Sequence, residues 1–215
     1  MSSVEEKVIE EADGVIVCNK PPGLLTASSH LDEPGSLQYE LMRHYRRMIW
    51  AVHQLDRDTS GVVLFVRRKK LVQTWTERLK AGEKTYLALC HGAVDFDSRL
   101  VEAPLGWIES LRRRGVCAGG QSAKTQFDVL ERSQEATLLQ VTLLTGRTHQ
   151  VRLHLEHLGH PLVGEQRYNL SRPPAAARHM LHAWQIVAGE RTWRVPMPVD
   201  MAEAIHAQGL VAPWD

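Results

Sequence analysis

The apolar positions of this chain follow two periods, and each change of period marks an element. Val15-Ile16-Val17-Cys18-Asn19 is a continuous apolar run stopped by Lys20-Pro21-Pro22-Gly23, where two prolines and a glycine cannot continue a ladder, so a buried strand is predicted. Ser36 is placed to cap a helix that turns Leu37, Leu41 and Met48 inward and Arg43, Arg46 and Arg47 outward. A second buried strand is expected over residues 61–67. Residues 69–80 then put Leu71, Trp75 and Leu79 at helical spacing, with Gly82 as the stop. Strands are expected over 84–92, 99–101, 124–131 and 137–145, separated by turn-rich linkers. Residues 148–158 read as a short helix with Val151, Leu155 and Leu158 on one face, closed by Gly159. A last hairpin over 180–188 and 192–195 turns at Gly189-Glu190, and a tail helix follows Pro198. Strands dominate the middle of the chain, so an α+β fold without internal repeats is expected.

One segment escapes both periods. Residues 105–122 carry three arginines and four glycines, which predicts either a mobile binding arm or a disordered excursion.

With 215 residues, 43% hydrophobic and 24% charged, the chain can build one sizeable core or two small ones sharing a sheet, and a single catalytic domain spanning 1–215 is the default. Cys18, Cys90 and Cys117 are far apart and lack CxxC spacing, which speaks against a disulfide framework or a thiolate metal site and for a reducing cytoplasm. The first residues contain no apolar h-region, and no apolar run reaches the roughly 18 residues of a membrane span. A net charge of +1 argues against coating nucleic acid with the whole surface. The charge is nevertheless clumped: Arg43 to Arg47, Arg67 to Lys70 and Arg112 to Arg114 are basic runs beside apolar or aromatic residues. A segregated surface of this kind suits a polyanion bound on one face.

The stretch His53-Gln54-Leu55-Asp56-Arg57-Asp58-Thr59-Ser60-Gly61 joins a polar loop to the apolar run Val62 to Val66. It presents a carboxylate at the foot of a buried strand, with Arg57, Thr59 and Ser60 as donors that hold the loop. On composition alone the same stretch also reads as a solvated turn.

Three separated blocks decide between the two. Residues 53–61, Lys84-Thr85-Tyr86, and Gly146-Arg147-Thr148-His149-Gln150-Val151-Arg152-Leu153-His154 followed by Gly159-His160-Pro161-Leu162-Val163-Gly164 closely resemble, in order and interval, the signature blocks of the RluA family of pseudouridine synthases. Asn19-Lys20-Pro21-Pro22-Gly23, Leu181-His182-Ala183 and Val195-Pro196-Met197-Pro198 extend the resemblance over nearly the whole chain. It implies a mixed, mainly antiparallel sheet flanked by helices, and isomerisation of an RNA uridine without cofactor or metal. It likens Asp56 to the catalytic aspartate, Tyr86 to the aromatic lying against the base, and Arg152 to the arginine paired with the aspartate. His53, Gln54, Arg57, Arg147 and His149 fall among the substrate-binding positions. Gly146 and Thr148 are expected to set the angle of the helix that delivers Arg152. Members lacking a small N-terminal S4 module are the better match, and a monomer in the cytoplasm acting on structured ribosomal or transfer RNA, without membrane association, is expected. The family's block usually has arginine where this chain has Gln54, which can donate a hydrogen bond but cannot neutralise a phosphate.

Moving uracil from an N1 to a C5 linkage transfers no electrons. One carboxylate suffices, whether it attacks C1′, adds to C6 or removes a sugar proton. The histidines 149, 154, 157 and 160 have neither HExxH nor HxxEH spacing, so RNA contact and helix-surface roles are expected in place of zinc. Two further functions remain: a nucleosidase or glycosidase, which normally pairs two carboxylates, and a non-catalytic RNA-binding factor.

Overall fold

In chain order the helices and strands begin with α1 (Val4–Lys7), β1 (Val8–Ala12), β2 (Val15–Lys20), α2 (Leu37–Tyr45), β3 (Trp50–Ala51), β4 (Ser60–Val66), α3 (Leu71–Ala81) and β5 (Glu83–His91). They continue with β6 (Ser98–Glu102), β7 (Leu105–Ile108), β8 (Arg113–Val116), β9 (Lys124–Arg132), β10 (Ala136–Leu143), α4 (Gln150–His157), β11 (Leu181–Ala188), β12 (Arg191–Arg194) and α5 (Val199–Ala207). The computed structural model describes residues 3–28, 30, 33–169 and 175–211. Two compact units emerge, one from Met1–Glu83 with Ala183–Met197, the other from Lys84–His182 with Pro198–Asp215.

The first unit has strand order β1-β2-β4-β11, with β12 on β11 and the short β3 on β4. β1 and β2 pair antiparallel, as do β2 and β4, whose register sets Lys20 opposite Gly61. All seven residues of β4 are buried, which explains the unbroken apolar run. Trp75 and Leu79 of α3 pack on Val15 and Val17 of β2, Val62, Leu64 and Val66 of β4, and Ile186 and Trp193 of the last hairpin. Helix α2 begins as expected, with the Ser36 hydroxyl accepting from the Tyr39 amide. It stops earlier than expected: Arg46 turns left-handed after Tyr45, and Met48, expected inside, is 39% exposed.

Gly82 ends α3 for a different reason from the expected one. Its φ of −94° is open to any residue, but a Cβ there would sit 1.9 Å from the Val187 carbonyl oxygen. Close approach of β11 fixes this glycine, not helix handedness.

In the second unit the order is β5-β10-β9-β6, antiparallel throughout. Tyr86 on β5 lies opposite Val141 on β10. The basic stretch 105–122 is neither mobile arm nor disordered excursion but a hairpin, β7 paired with β8 around a single 3-10 turn. Leu105, Ala123, Leu153 and Tyr168 form a small core beneath it, and Arg113 forms an ion pair with Glu156 of α4 at 3.0 Å. Helix α5 is tied down by Arg178, whose Nε and Nη2 meet both oxygens of Asp200 at 2.6 and 2.9 Å. The Arg178 hydrogen bonds, opposed by burial and helped by its charge, hold the Asp200 carboxyl below the usual carboxylate range.

Cys18 on β2 and Cys90 on β5 are fully buried, one in each unit, while Cys117 is half-buried. Among the described residues no helix is long and apolar enough to cross a membrane.

Candidate active site

The Asp56 loop is pinned from below. Lys20, fully buried, donates its ammonium to three backbone carbonyls: Pro21 at 2.9 Å, Leu24 at 2.7 Å and Arg57 at 2.9 Å. A buried ammonium is tolerated only when its donors are met, and here they hold residue 57 against residues 21–24. The Thr26 hydroxyl both donates to the Leu55 carbonyl and accepts from the Leu55 amide, each at 3.0 Å. Leu55 itself is buried, and a turn closes with the Thr59 amide donating to the Asp56 carbonyl at 3.1 Å. Asp56, half-buried, therefore stands between two fixed neighbours. Gly61, the second residue of β4, has φ +120°, and a Cβ there would lie 2.2 Å from the Ala183 carbonyl oxygen, so only glycine fits the strand at this point.

The other expected residues of this loop divide. His53 accepts from the Leu64 amide through Nε2 at 3.3 Å, tying the loop to β4 as well as bordering it. Gln54 and Arg57 expose their side chains, while Thr59 and Ser60 are buried.

Tyr86 and Arg152 belong to the second unit. Tyr86 is 7% exposed, in the middle of β5's buried run. Arg152 projects from α4, where its Nε donates to Glu165 Oε2 at 2.7 Å and its Nη2 to Oε1 at 2.8 Å. This bidentate pair is buried on both sides, and the guanidinium lies 5.1 Å from the Tyr168 ring centre. Glu165 also accepts from the Arg167 amide at 2.8 Å and the Tyr168 amide at 3.3 Å. Burial pushes the Glu165 carboxyl up, but the hydrogen bonds and charge of Arg152 outweigh it and hold the group below the usual carboxylate range. The Tyr168 hydroxyl shares a hydrogen bond with His149 Nδ1 at 2.5 Å, so His149, Tyr168, Arg152 and Glu165 form one connected group. Two N–H groups of the guanidinium are engaged by Glu165, which aims the remainder of the fork.

The start of α4 is set by residues other than those expected. Gln150, buried, donates to the Lys124 carbonyl and the Thr125 hydroxyl, both at 2.9 Å. Its oxygen accepts from the Thr145 hydroxyl at 2.7 Å and the Arg147 amide at 3.0 Å. His149 precedes it in the left-handed region, φ 57°. Thr148 is exposed and makes no side-chain hydrogen bond among the described residues, and a Cβ on Gly146 would meet only Lys84 Nζ, at an ordinary 3.6 Å. Arg147 is exposed, with Nε donating to the Ser122 carbonyl at 3.0 Å.

His154 also departs from expectation. It is fully buried, its Nε2 donating to the Ala103 carbonyl at 3.0 Å and its Nδ1 bonded to the Thr125 hydroxyl at 2.8 Å. That network assigns a neutral ring, and burial lowers its pKa. It is a structural histidine, neither RNA contact nor surface filler. His160 bonds the His91 carbonyl at 2.9 Å.

Glu165 and Tyr168 were outside the expected set. A charged residue directly follows the matched block ending at Gly164, but its partner Arg152 lies 13 residues back, so no local spacing marked it.

Comparison with known proteins places this geometry. Residues 14–157 match the family model for RNA pseudouridylate synthase. The ribosomal large subunit pseudouridine synthase D of Nitrosomonas europaea is 34% identical over 94% of this chain and 64% of its own length. The ribosomal large subunit pseudouridine synthase C of Vibrio cholerae is 33% identical over 78% of this chain and 54% of its own. The chain thus spans between half and two thirds of the length of these relatives. Human RNA Pseudouridylate Synthase Domain Containing 4 superposes with a TM-score of 0.78 at 20% identity, covering 98% of this chain and 95% of the other. Human RNA Pseudouridylate Synthase Domain Containing 1 gives 0.73 at 26% identity, covering 92% and 85%. The blocks that suggested the RluA resemblance therefore sit on the fold it implied, and the chain belongs to the RNA pseudouridylate synthase family.

Proposed function

We propose that this protein isomerises a uridine of a structured RNA to pseudouridine, with Asp56 as the acting carboxylate and the two units serving as one catalytic domain. The observation that carries this reading is the family match over 14–157, which takes in Asp56, Tyr86 and Arg152. The names of the relatives make ribosomal RNA the first candidate substrate; transfer RNA follows as the second from the RluA resemblance alone.

The reaction breaks the C1′–N1 bond, forms a C1′–C5 bond, releases the C5 hydrogen to solvent and leaves a proton on N1. Nothing is oxidised or reduced. Asp56 acts in its ionised form, held still by the Lys20 and Thr26 contacts so that little ordering is left for the reaction step. Arg152 takes the part of the family's arginine, and Glu165 fixes the orientation of its guanidinium. Tyr86 stacks on the extruded uracil, offsetting part of the roughly few kcal/mol that unstacking costs. His53, Gln54, Arg57, Arg147 and His149 serve the RNA around it. The protein works as a cytoplasmic monomer.

A glycosidase reading would need a second working carboxylate, and Glu165 is not one. Its side chain is wholly buried and both oxygens are taken by Arg152, so it cannot deliver a proton to a leaving group or activate water. The isomerase reading stands ahead.

The test compares pseudouridine maps of total RNA from cells with and without the protein, then measures hydrogen release from C5-tritiated RNA containing the lost site. Asp56→Asn should abolish release while leaving RNA affinity within about a few-fold, since the amide keeps the shape but not the nucleophilic or basic oxygen. Substantial turnover by Asp56→Asn removes Asp56 from the chemistry, and release of free uracil replaces isomerisation by hydrolysis.

A further inference from the structure

The first unit contains a cavity of about 510 Å³ that the proposed chemistry does not use, walled by Gln38, Trp50, Gln54, Lys69, Val72 and Gln73 among others. Trp50, half-buried on β3, supplies an aromatic wall, and Val72 an apolar one. The Gln38 and Gln73 amides are already engaged, with Ile49 at 2.7 Å and Glu77 at 3.0 Å. By contrast, the Trp50 indole N–H, the Gln54 amide and the Lys69 ammonium make no hydrogen bond or ion pair among the described residues. An occupant without polar groups would leave those donors unmatched.

A second observation specifies the occupant's charge. Arg47 donates through Nη2 to the Arg67 carbonyl at 3.1 Å, which joins the basic runs at 43–47 and 67–70 into one patch. Arg43, Arg46, Arg47, Arg68, Lys69 and Lys70 are all exposed on it. Lys69 belongs both to this patch and to the cavity wall. An aromatic face, an amide able to meet either donor or acceptor edges, and a cation continuous with a cationic surface are together the recognition chemistry of a nucleotide in a single strand. Gln54 is also only two residues from Asp56, a separation of at most about 7 Å along extended chain.

We propose that this cavity receives a nucleotide adjacent in the RNA to the uridine presented to Asp56, its base against Trp50, its edge read by Gln54 and its phosphate met by Lys69. The proposal rests on the RNA-modifying reading above. It gives the glutamine at position 54 a distinct chemistry: its amide both donates and accepts toward a base edge, whereas the arginine usual in the family can only donate.

The experiment irradiates the intact protein with a randomised pool of short single-stranded RNAs carrying one 5-iodouridine, and maps adducts by peptide mass spectrometry. An adduct at Trp50 is expected, falling several-fold in Gln54→Ala and in Lys69→Ala while adducts elsewhere persist. Trp50→Phe should keep most of the affinity for the pool and Trp50→Ala should lose roughly five- to a hundred-fold, the effect of removing one base-stacking platform. The log–log salt slope should flatten by about 0.7 in Lys69→Ala. Adducts elsewhere but none at Trp50, with Gln54→Ala and Lys69→Ala binding like the unaltered protein, would overturn the cavity assignment and leave the isomerase reading intact. Absence of any adduct would likewise overturn the cavity assignment, while the isomerase reading is judged by hydrogen release from C5-tritiated structured RNA. The two surface variants carry the test should Trp50→Ala fail to fold.

Discussion

Arg152 and Glu165 form a buried ion pair whose geometry serves position more than stability. Removing one partner of such a pair typically costs about 3–5 kcal/mol, because the other charge is left buried without compensation. Glu165→Gln retains one acceptor, so a loss near 3 kcal/mol is expected, roughly 6–12 °C in Tm for a chain of this size. The pH dependence has a definite sign. The folded-state pKa of Glu165 is depressed, so its contribution is present above the ordinary carboxylate range and is lost as pH falls through the lowered value. The gap in stability between the unaltered protein and Glu165→Gln should therefore shrink as pH falls from above the ordinary carboxylate range through the lowered value. Urea midpoints across that range check it; a gap that stays constant would mean that Glu165 is not ionised against Arg152. At this scale the sequence exposed Asp56, Tyr86 and Arg152 because their neighbours form recognisable blocks. It hid Lys20, Gln150 and Glu165, whose work is to fill the hydrogen-bonding needs of backbone or of one arginine. Their partners lie up to 37 residues away, and no local spacing encodes them.

Among the elements, Gly82 separates two explanations that look alike in sequence. A glycine stopping a helix through left-handed backbone can be replaced by asparagine at small cost, but one kept by close approach cannot. With a negative φ and a carbonyl 1.9 Å from where a Cβ would stand, both Gly82→Ala and Gly82→Asn should destabilise, each by about 2–3 kcal/mol or more. Near-native urea midpoints for Gly82→Asn would restore the capping explanation. The hairpin β7–β8 poses the complementary question. Arg113 is committed to Glu156, whereas Arg112 is exposed at its turn. If the hairpin carries RNA, Arg112→Ala and Arg114→Ala should each flatten the salt dependence of binding by about 0.7 in log–log slope. Their stability should stay within about 0.5 kcal/mol of the unaltered protein. Unchanged slopes would take the hairpin out of RNA contact. Strands and helices with clear periods were readable to within a few residues. The hairpin was not, because Gly120 is held by close approach of the Leu105 backbone, a contact that no periodicity expresses.

For the whole molecule, a net charge of +1 conceals an uneven surface. The sequence marked three basic runs, and the fold joins two of them in the first unit through the Arg47 hydrogen bond and the Arg67 guanidinium over the Tyr45 ring. The α+β class and the mainly antiparallel sheet were legible through the resemblance of the matched blocks to the RluA family. The partition into two units was not, since it depends on residues 183–197 returning to the N-terminal unit and residues 198–215 to the central one. That interleaving gives the cysteines an unplanned use. Burial, with Glu11 nearby, raises the Cys18 thiol far above its ordinary pKa, and burial pushes the Cys90 thiol up to about 12. Neither can form the reactive thiolate until its surroundings part. A thiol reagent should therefore modify Cys117 promptly in the native protein and the other two only on opening. Fast native modification of either would contradict the packing around it. Because Cys18 and Cys90 lie in different units, their two labelling rates are separate clocks, each timing how often its own half of the enzyme comes apart.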